Sequence, residues 1–393
     1  MAGVAVTLES RPGEVPPGSA AADVVAFLGS DLARLLDRAD SATAFDVDRA
    51  LAVSHRSLDD LAVLLSAAAA ARLEDLAAAA HRLTVQRFGR VVRLFAPLYL
   101  SNECASTCTY CGFSAGNDIV RRTLSPAEVG AEARALRERG FRHLLLVSGE
   151  HARIVSRDYL EECVRAAVAE VPSVSVEVQV WDTPTYRRLV AAGCEGLVVY
   201  QETYDRTTYA ATHLKGKKRN YAWRLAAPDR GAEAGMRQLG IGALVGLHDD
   251  WRGDALATAA HARALIRRWW RCLVTVSVPR LRPAAGEYQP SNPVDDREMA
   301  QLACALRLVL PDVGLSLSTR EAPALRDGLL RLGFTQMSAG SHTEPGGYAV
   351  PSEAGPQFEI SDTRSPEEVA VVVRRSGYEP VWMDTIGARR PTP

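Results

Sequence analysis

Three cysteines stand within eight residues, in the sequence Cys104-Ala-Ser-Thr-Cys108-Thr-Tyr-Cys111. Their C-x3-C-x2-C spacing allows the thiolates to fold around one iron–sulfur cluster, each binding a different iron. The fourth iron of a 4Fe–4S cluster then lacks a protein ligand, and S-adenosylmethionine (SAM) can bind it through its amino and carboxylate groups. One electron from the cluster would break a carbon–sulfur bond of SAM and release a 5′-deoxyadenosyl radical. The motif therefore predicts a 4Fe–4S cluster and SAM as cofactors.

Other roles for these cysteines are a structural zinc site and a chance cluster of buried thiols. A structural zinc site normally needs four ligands, often as two separated pairs. The candidates His143 and His151 fall a whole strand–helix unit further along the chain. The other four of the seven cysteines are scattered singly. That spread argues against a disulfide framework and places the protein in a reducing cytoplasm.

The composition excludes several classes of partner. The 393 residues carry a net charge of −1, with 47% hydrophobic and 24% charged residues. Near-neutrality argues against a protein that binds nucleic acid or an acidic membrane. No apolar run approaches the roughly 18 residues that a membrane-spanning helix needs, and the N-terminus shows no secretory signal. We therefore expect neither a nucleic acid nor a membrane as partner.

Beyond Gly89, short β-branched runs alternate with helical stretches. The predicted strands are Val91–Leu100, His143–Ser148, Val174–Val180, Gly196–Tyr200, Ile241–Leu247, Leu273–Pro279, Val313–Thr319 and Phe334–Ser338. Repeated strand–helix units indicate a parallel sheet, and eight strands favour a closed (β/α)8 barrel of the α/β class over an open doubly wound sheet. Residues 1–90 form a helical extension, 91–340 the barrel, and 341–393 a loop and helix that close it.

Reactive groups of such a barrel lie where its strands end. At the end of strand two, Gly149 and Glu150 suit backbone contacts to the ammonium of SAM, although an ordinary turn explains them equally well. Gln179 shares a face of strand three with Glu177, and buried polar groups of this kind favour a ligand role. In strand five, Gly246 leaves room for a flat adenine, with tight helix packing as the competing explanation.

Arginines end strands six and seven. The planar fork of Arg320 suits a substrate carboxylate, whereas an ion pair with Glu321 at the barrel rim is the competing interpretation. Arg280 is assigned to SAM, and it also stands beside Arg282 as an alternative carboxylate clamp. The basic run Lys215–Arg219 is interpreted as a solvated loop.

The chain resembles the 2-iminoacetate synthase family, the radical SAM tyrosine lyases of thiamine biosynthesis, from about Leu58 to Thr385. The segments that carry the resemblance are LYLSNECASTCTYCGFS, HLLLVSGEH, VYQETYD, HLKGKK, WRLAAPDR, SVSVPRLRP, LSLSTRE, TEPGGY, FEISDTRS and EPVW. The resemblance also implies that residues of about 240–380 correspond to the biotin and thiamin synthesis associated region.

The resemblance implies cleavage of the Cα–Cβ bond of L-tyrosine to p-cresol and 2-iminoacetate (dehydroglycine). The implied partners are thiazole synthase and an external reductant, either an electron-donor protein of the flavodoxin or ferredoxin type or an NADPH-driven system. Arg320 would hold the substrate carboxylate, with Tyr99 and Ser338 beside the substrate. The residues expected to contact SAM are Tyr110, Gly149, Glu150, Gln179, Gln201, Gly246 and Arg280.

Some features depart from the family pattern. No cysteine follows Cys304, which argues against the second cluster of the related tyrosine lyase of hydrogenase maturation. The segment Val381–Thr385 and the Ala-rich N-terminal arm also differ. These departures leave open a related lyase acting on tryptophan or another aromatic amino acid in secondary metabolism, or a deazaflavin-forming radical enzyme. The non-catalytic alternative is an iron–sulfur or zinc scaffold.

Overall fold

The computed structural model describes residues 14–286 and 288–382. In this part of the chain a set of helices precedes the first strand. They are α1 (Ala20–Ser30), α2 (Leu32–Asp40), α3 (Ala44–Ala52), α4 (Leu58–Leu64), α5 (Ala67–Ala70) and α6 (Leu73–Phe88). Helix α3 and helix α4 each begin with a capping box, in which the side chains of Thr43 and Ser57 bond the third helical amide.

The strands that follow are all parallel. They are β1 (Val91–Ser101), β2 (His143–Ser148), β3 (Ser173–Glu177), β4 (Gly196–Glu202), β5 (Gln238–Ala243), β6 (Leu273–Ser277), β7 (Gly314–Leu317), β8 (Gln336–Ser338) and β9 (Glu379–Val381). Strands β1 to β8 pair in sequence order, and β1 also pairs with β2, which closes an eight-stranded barrel. The predicted (β/α)8 fold is confirmed.

Helices return the chain between consecutive strands. They are α7 (Pro126–Glu138), α8 (Arg157–Glu170), α9 (Thr183–Ala191), α10 (Arg206–Thr212), α11 (Tyr221–Leu225), α12 (Ala227–Glu233), α13 (Trp251–Arg268), α14 (Asp296–Val309), α15 (Pro323–Leu329) and α16 (Pro366–Arg375). A short 3-10 helix spans Lys217–Arg219. None of the helices in the two described ranges is long and apolar enough to cross a membrane.

Strand β1 pairs with three neighbours along its 11 residues. Val91–Arg93 pair with β9, Arg93–Phe95 with β8, and the residues from Ala96 to Ser101 with β2. The register shifts between Tyr99 and Ser101, at the end that leads into the cysteine motif. Strand β1 therefore closes the barrel and delivers the cysteines to its carboxyl rim.

Strand five shows the main difference between prediction and structure. Strand β5 is Gln238–Ala243, earlier than the predicted Ile241–Leu247. After Ala243 the amide of Leu244 donates to the carbonyl of Glu202, and that of Val245 donates to the carbonyl of Pro279, which ends the ladder. Gly246 then lies in a left-handed turn with φ of 101° rather than in a strand.

The division into an extension, a barrel and a closing segment stays a prediction. Residues 1–13 and 383–393, including Met383 and Thr385 of the closing segment, lie outside the described residues. Within the described residues, the closing part contributes helix α16 and also strand β9, which joins the sheet beside β1.

A buried carboxylate attaches the N-terminal helices to the barrel. Asp229, at the start of α12, is fully buried and accepts hydrogen bonds from the amides of Ala20 (3.0 Å) and Ala21 (3.1 Å). It also accepts from the indole Nε1 of Trp269 at 2.8 Å. A negative charge at a helix N-terminus is favourable, because the free amides of the first turn point toward it. Asp229 therefore caps α1 from another element.

Replacing Asp229 with Ala should destabilise the protein, because buried donors of α1 and Trp269 lose their acceptor. We expect a loss on the order of 3 kcal/mol and faster proteolysis of the N-terminal helices. Thermal unfolding and limited proteolysis would measure both effects. Asp23→Ala, which removes an exposed pair with Arg267, is the control and should change stability by less than about 1 kcal/mol. Equal stability of the two variants would contradict the role of Asp229.

Candidate active site at the carboxyl rim of the barrel

Backbone hydrogen bonds hold the cysteine loop from three directions. The amide of Ala105 donates to the carbonyl of Glu150 at 2.8 Å, after β2. The amide of Thr107 donates to the carbonyl of Lys215 at 3.2 Å, in the segment after α10. The amide of Gly112 donates to the carbonyl of Gln357 at 2.9 Å, from the segment before α16. The loop is therefore fixed above the barrel independently of any ligand.

The three motif cysteines are unpaired thiols, of which Cys108 is buried and Cys104 and Cys111 are partly exposed. Burial raises the pKa of all three thiols, so that the thiolate form needs a compensating positive charge. Iron ions would supply that charge. Across the described ranges, no three His, Cys, Asp or Glu side chains are arranged to hold a single metal ion. Three free thiols within one loop fit a cluster in which each thiolate binds its own iron.

A chain of ion pairs lies beside the cysteine loop. Arg224 contacts Glu150 at 3.0 Å and Glu202 at 3.6 Å, and the ammonium of Lys218 contacts Glu202 at 2.6 Å. Burial alone would raise the pKa of Glu202, but Lys218 and Arg224 outweigh it and lower the pKa. Lys218 also lies 5.6 Å from the ring centre of Tyr110, whose hydroxyl bonds His213. Tyr110, a residue of the cysteine motif, therefore contacts this network of ion pairs through Lys218.

The interpretation of Lys215–Arg219 as a solvated loop is only partly right. Lys215, Lys217 and Arg219 are exposed, but Lys218 turns inward because Glu202 is a buried carboxylate that needs a cation. Glu202 has φ of 72°, the one positive value among the described non-glycine residues. Such conformations are uncommon and concentrate at functional sites.

The first group of residues predicted to contact SAM borders the cysteine loop. A Cβ atom on Gly149 would lie 2.3 Å from the carbonyl oxygen of Glu103, so only glycine allows the loop to approach. Glu150 contacts Arg224 through one carboxylate oxygen, while its other oxygen is buried and lacks a hydrogen-bond partner. Gln201 is 2% exposed, and both atoms of its side-chain amide lack a hydrogen-bond partner. Buried polar groups are normally paired, so the amide of Gln201 and the second oxygen of Glu150 have bonding capacity left for a ligand.

The structure places the other predicted SAM residues differently. The side-chain amide of Gln179 donates to the carbonyl of Val155 at 3.1 Å and secures the β2–α8 connection. Gly246 faces Leu281 and Pro290 across a turn. Arg280 is bound by Glu321 and lies 2.9 Å from Asp296, so its guanidinium is engaged within the rim. The rim ion pair considered for Arg320 is thus made by Arg280.

Arg320 is consequently left without a carboxylate partner among the described residues. The carbon of its guanidinium lies 3.4 Å from the ring centre of Phe358. Burial lowers the pKa of Arg320, while Tyr99 and Glu202 oppose the shift. A cation in this state gains from binding an anion, which suits the predicted carboxylate clamp.

Tyr99 and Ser338 lie at the ends of adjacent strands. Strand alternation puts Tyr99 on the face of β1 that Arg93 and Phe95 share, and Ser338 on the face of β8 that Gln336 occupies. Arg93, Phe95 and Gln336 lie lower in the barrel and line a cavity of about 40 Å³, which is too small for an amino acid. Tyr99 and Ser338, which do not line this cavity, stay the predicted substrate residues.

Sequence reasoning missed several residues of the rim. Glu202, Lys218 and Arg224 belong to the segments VYQETYD, HLKGKK and WRLAAPDR, but their pairing depends on contacts between distant segments. Gln357 accepts a hydrogen bond from the hydroxyl of Tyr99 at 2.8 Å, across 258 positions of sequence. No sequence pattern signals that contact.

The pKa of Glu177, on the inner face of β3, is raised from 4.5 to about 7 by burial and by Glu202. At intermediate pH the folded chain therefore keeps a proton that the unfolded chain has released. The free energy of unfolding should then fall as the pH rises from 4.5 to about 7. Glu177→Gln should remove this loss and gain about 3 kcal/mol relative to wild type between pH 5 and pH 8.

Unfolding of both proteins at the two pH values tests this expectation. Exposed Glu162→Gln is the matched control and should follow wild type at both. A pH-independent difference between Glu177→Gln and wild type would contradict the raised pKa.

Two family models match the chain. The Radical SAM superfamily model matches residues 98–259, and the Biotin and Thiamin Synthesis associated domain matches residues 277–379. The chain is 47% identical to the 2-iminoacetate synthase of Escherichia coli over 347 residues, which cover 88% of this chain and 92% of the relative. It is 46% identical over the same shares to the 2-iminoacetate synthase of Salmonella typhimurium.

Solved structures agree with this relationship. The FeFe-hydrogenase maturase HydG from Carboxydothermus hydrogenoformans superposes with a TM-score of 0.86 at 31% identity, covering 94% of this chain and 86% of that one. Methylornithine synthase (PylB) superposes with a TM-score of 0.69 at 21% identity, covering 86% of this chain and 97% of that one. At that identity the second likeness shows the fold alone.

Proposed function

The chain belongs to the 2-iminoacetate synthase family of the radical SAM superfamily, and we propose that it cleaves the Cα–Cβ bond of L-tyrosine to 2-iminoacetate and p-cresol. The observation that carries this proposal is the 47% identity that extends over 92% of a 2-iminoacetate synthase. The 2-iminoacetate would serve formation of the thiamine thiazole.

Radical SAM enzymes use a 4Fe–4S cluster and SAM. Cys104, Cys108 and Cys111 would hold the cluster, since their free thiols share one loop. When bound, the cluster and SAM supply the adenosyl radical that takes a hydrogen atom from the amino group of the substrate. Gln201 would donate to and accept from SAM through its unpaired amide, with Glu150, Gly149 and Tyr110 shaping the edge of that site.

Arg320 would bind the substrate carboxylate through its planar fork. The hydroxyl of Tyr99 donates a hydrogen bond to Gln357, so its oxygen can accept a hydrogen bond from the substrate. Ser338 would complete the wall beside Tyr99. Glu177 titrates near neutral pH and would exchange a proton with the substrate amine. Fixing the carboxylate and the amine together holds the scissile bond in a single orientation.

The reaction also defines the partners. An external one-electron reductant, of the flavodoxin or ferredoxin type or driven by NADPH, would reduce the cluster. The imine product hydrolyses in water, so thiazole synthase is the partner that would receive it. Six of the seven cysteines, Cys104, Cys108, Cys111, Cys163, Cys272 and Cys304, are free thiols, which suits a cytoplasmic location.

Anaerobically purified protein should contain about four irons per chain. Changing Cys104, Cys108 or Cys111 to Ala should abolish the cluster and SAM cleavage, because each thiolate binds one iron. Iron analysis and the visible spectrum would measure this. Cys163→Ala, at a buried cysteine of α8, is the control and should keep the cluster. Full iron loading of the triple variant would refute the assignment.

With L-tyrosine, SAM and a strong reductant, the enzyme should release p-cresol, 5′-deoxyadenosine and glyoxylate from the hydrolysed imine. Arg320→Lys keeps the charge but loses the fork, so tyrosine turnover should fall on the order of 10-fold or more while the cluster survives. The exposed Arg165→Lys substitution on α8 is the matched control. Chromatography of the products decides the result.

Two outcomes would count against this assignment. If the enzyme cleaved L-tryptophan and left L-tyrosine unreacted, the proposed substrate would be wrong. An Arg320→Ala variant with unchanged affinity for tyrosine would move the carboxylate clamp to Arg282.

A further inference from the structure

Gln357 connects the predicted substrate site to the cysteine loop. Its side-chain oxygen accepts from the hydroxyl of Tyr99 at 2.8 Å. Its side-chain nitrogen lies 3.9 Å from the sulfur of Cys111, within range of an N–H···S hydrogen bond. One amide therefore contacts both a cysteine of the motif and an aromatic residue at the substrate level.

The chemistry of the two neighbours agrees with this orientation of the amide. A cluster-bound cysteine is a thiolate and can only accept a hydrogen bond, so the NH2 group must face Cys111. The amide oxygen then faces Tyr99, whose hydroxyl can donate. The reversed amide would place an oxygen against the thiolate and an NH2 group against a hydroxyl that has lost its acceptor.

The backbone around Gln357 is fixed to the cysteine loop. Its amide donates to the carbonyl of Thr343 at 3.0 Å, and its carbonyl accepts from Gly112 at 2.9 Å. A Cβ atom on Gly112 would lie 2.5 Å from the carbonyl oxygen of Pro356 and 2.7 Å from that of Gln357. Gly112 therefore has room for no side chain, and the closing segment lies directly against the motif.

We propose that Gln357 is a positioning residue that couples substrate binding to the iron–sulfur cluster, by donating to Cys111 while it orients Tyr99. Hydrogen bonds to cluster sulfurs stabilise the reduced state and raise the reduction potential. A substrate that contacts Tyr99 changes the strength of the bond from Tyr99 to Gln357, and through the same amide the bond to Cys111. The inference rests on the cluster site of the proposed function.

The substitution Gln357→Glu separates the two bonds. It keeps an oxygen to accept from Tyr99 but replaces the NH2 donor with an acceptor beside the thiolate. Gln357→Leu removes both bonds without adding charge, and Tyr99→Phe removes only the bond to Tyr99. Gln86→Glu is the matched control, because Gln86 is an exposed residue of α6 and the substitution adds the same charge outside the motif.

Redox titration of the cluster, followed by electron paramagnetic resonance with and without L-tyrosine, gives a readout besides turnover. We expect a more negative midpoint potential in Gln357→Glu and Gln357→Leu and an unchanged one in Gln86→Glu, with full iron content throughout. Added L-tyrosine should alter the signal of the wild-type reduced cluster but not that of Tyr99→Phe or Gln357→Leu. Tyrosine cleavage should fall on the order of 10-fold in both Gln357 variants.

Wild-type potentials in both Gln357 variants would overturn this inference and leave the proposed function intact. A wild-type response to L-tyrosine in Tyr99→Phe would overturn the coupling as well. Absence of a cluster from the wild-type protein would instead refute the proposed function.

Discussion

The hydrogen bonding of β1 is the constraint on which the rest of the structure depends. Its first half is paired with β9 and β8, and its second half with β2, so a single strand closes the barrel. A strand held on both edges cannot slide without moving every side chain to the opposite face. The loop that leaves Ser101 therefore starts from a defined point on the rim, and the cysteines with it. The cavity lower in the barrel, of about 40 Å³, is too small for an amino acid.

The buried charges at the rim hold their side chains in fixed positions and contribute little to the free energy of folding. Glu150, Arg224, Glu202 and Lys218 lose hydration when they are buried, and their mutual attraction roughly offsets that cost. Such a network gains little over apolar packing, but its directional bonds hold each group in one place. The positive φ of Glu202 costs backbone energy, and the ion pairs of Glu202 hold the residue in that conformation. Arg320 is buried and has no carboxylate partner in the described part of the chain, which is why it suits an incoming anion.

The segments outside the strands complete the barrel from its two ends. Asp229 binds the N-terminal helices through the amides of α1, so the extension is anchored by a charge rather than by apolar contact alone. The segment before α16 covers the rim, where Asn102 donates to the carbonyl of Gly355 and Gly346 donates to the carbonyl of Tyr99. Radical chemistry requires such a cover, because a bound radical must be kept from water and other hydrogen donors.

The sequence by itself determined the barrel, the cysteine motif and the family. Alternating strands and helices are local patterns, and the C-x3-C-x2-C spacing lies within one loop. It also placed Arg320 just after the seventh strand, since a strand end is a local feature, while the role of Arg320 as carboxylate clamp stays a prediction. Only the tertiary structure decided that Arg280, rather than the neighbouring Arg320, forms the ion pair with Glu321. The tertiary structure also decided that Lys218 points inward and that the amide of Gln179 is hydrogen-bonded within the protein. It likewise brought Gln357 into contact with Tyr99. Each of these contacts joins residues from distant segments through a charge or a hydrogen bond. A local sequence pattern does not show which distant residues will come into contact.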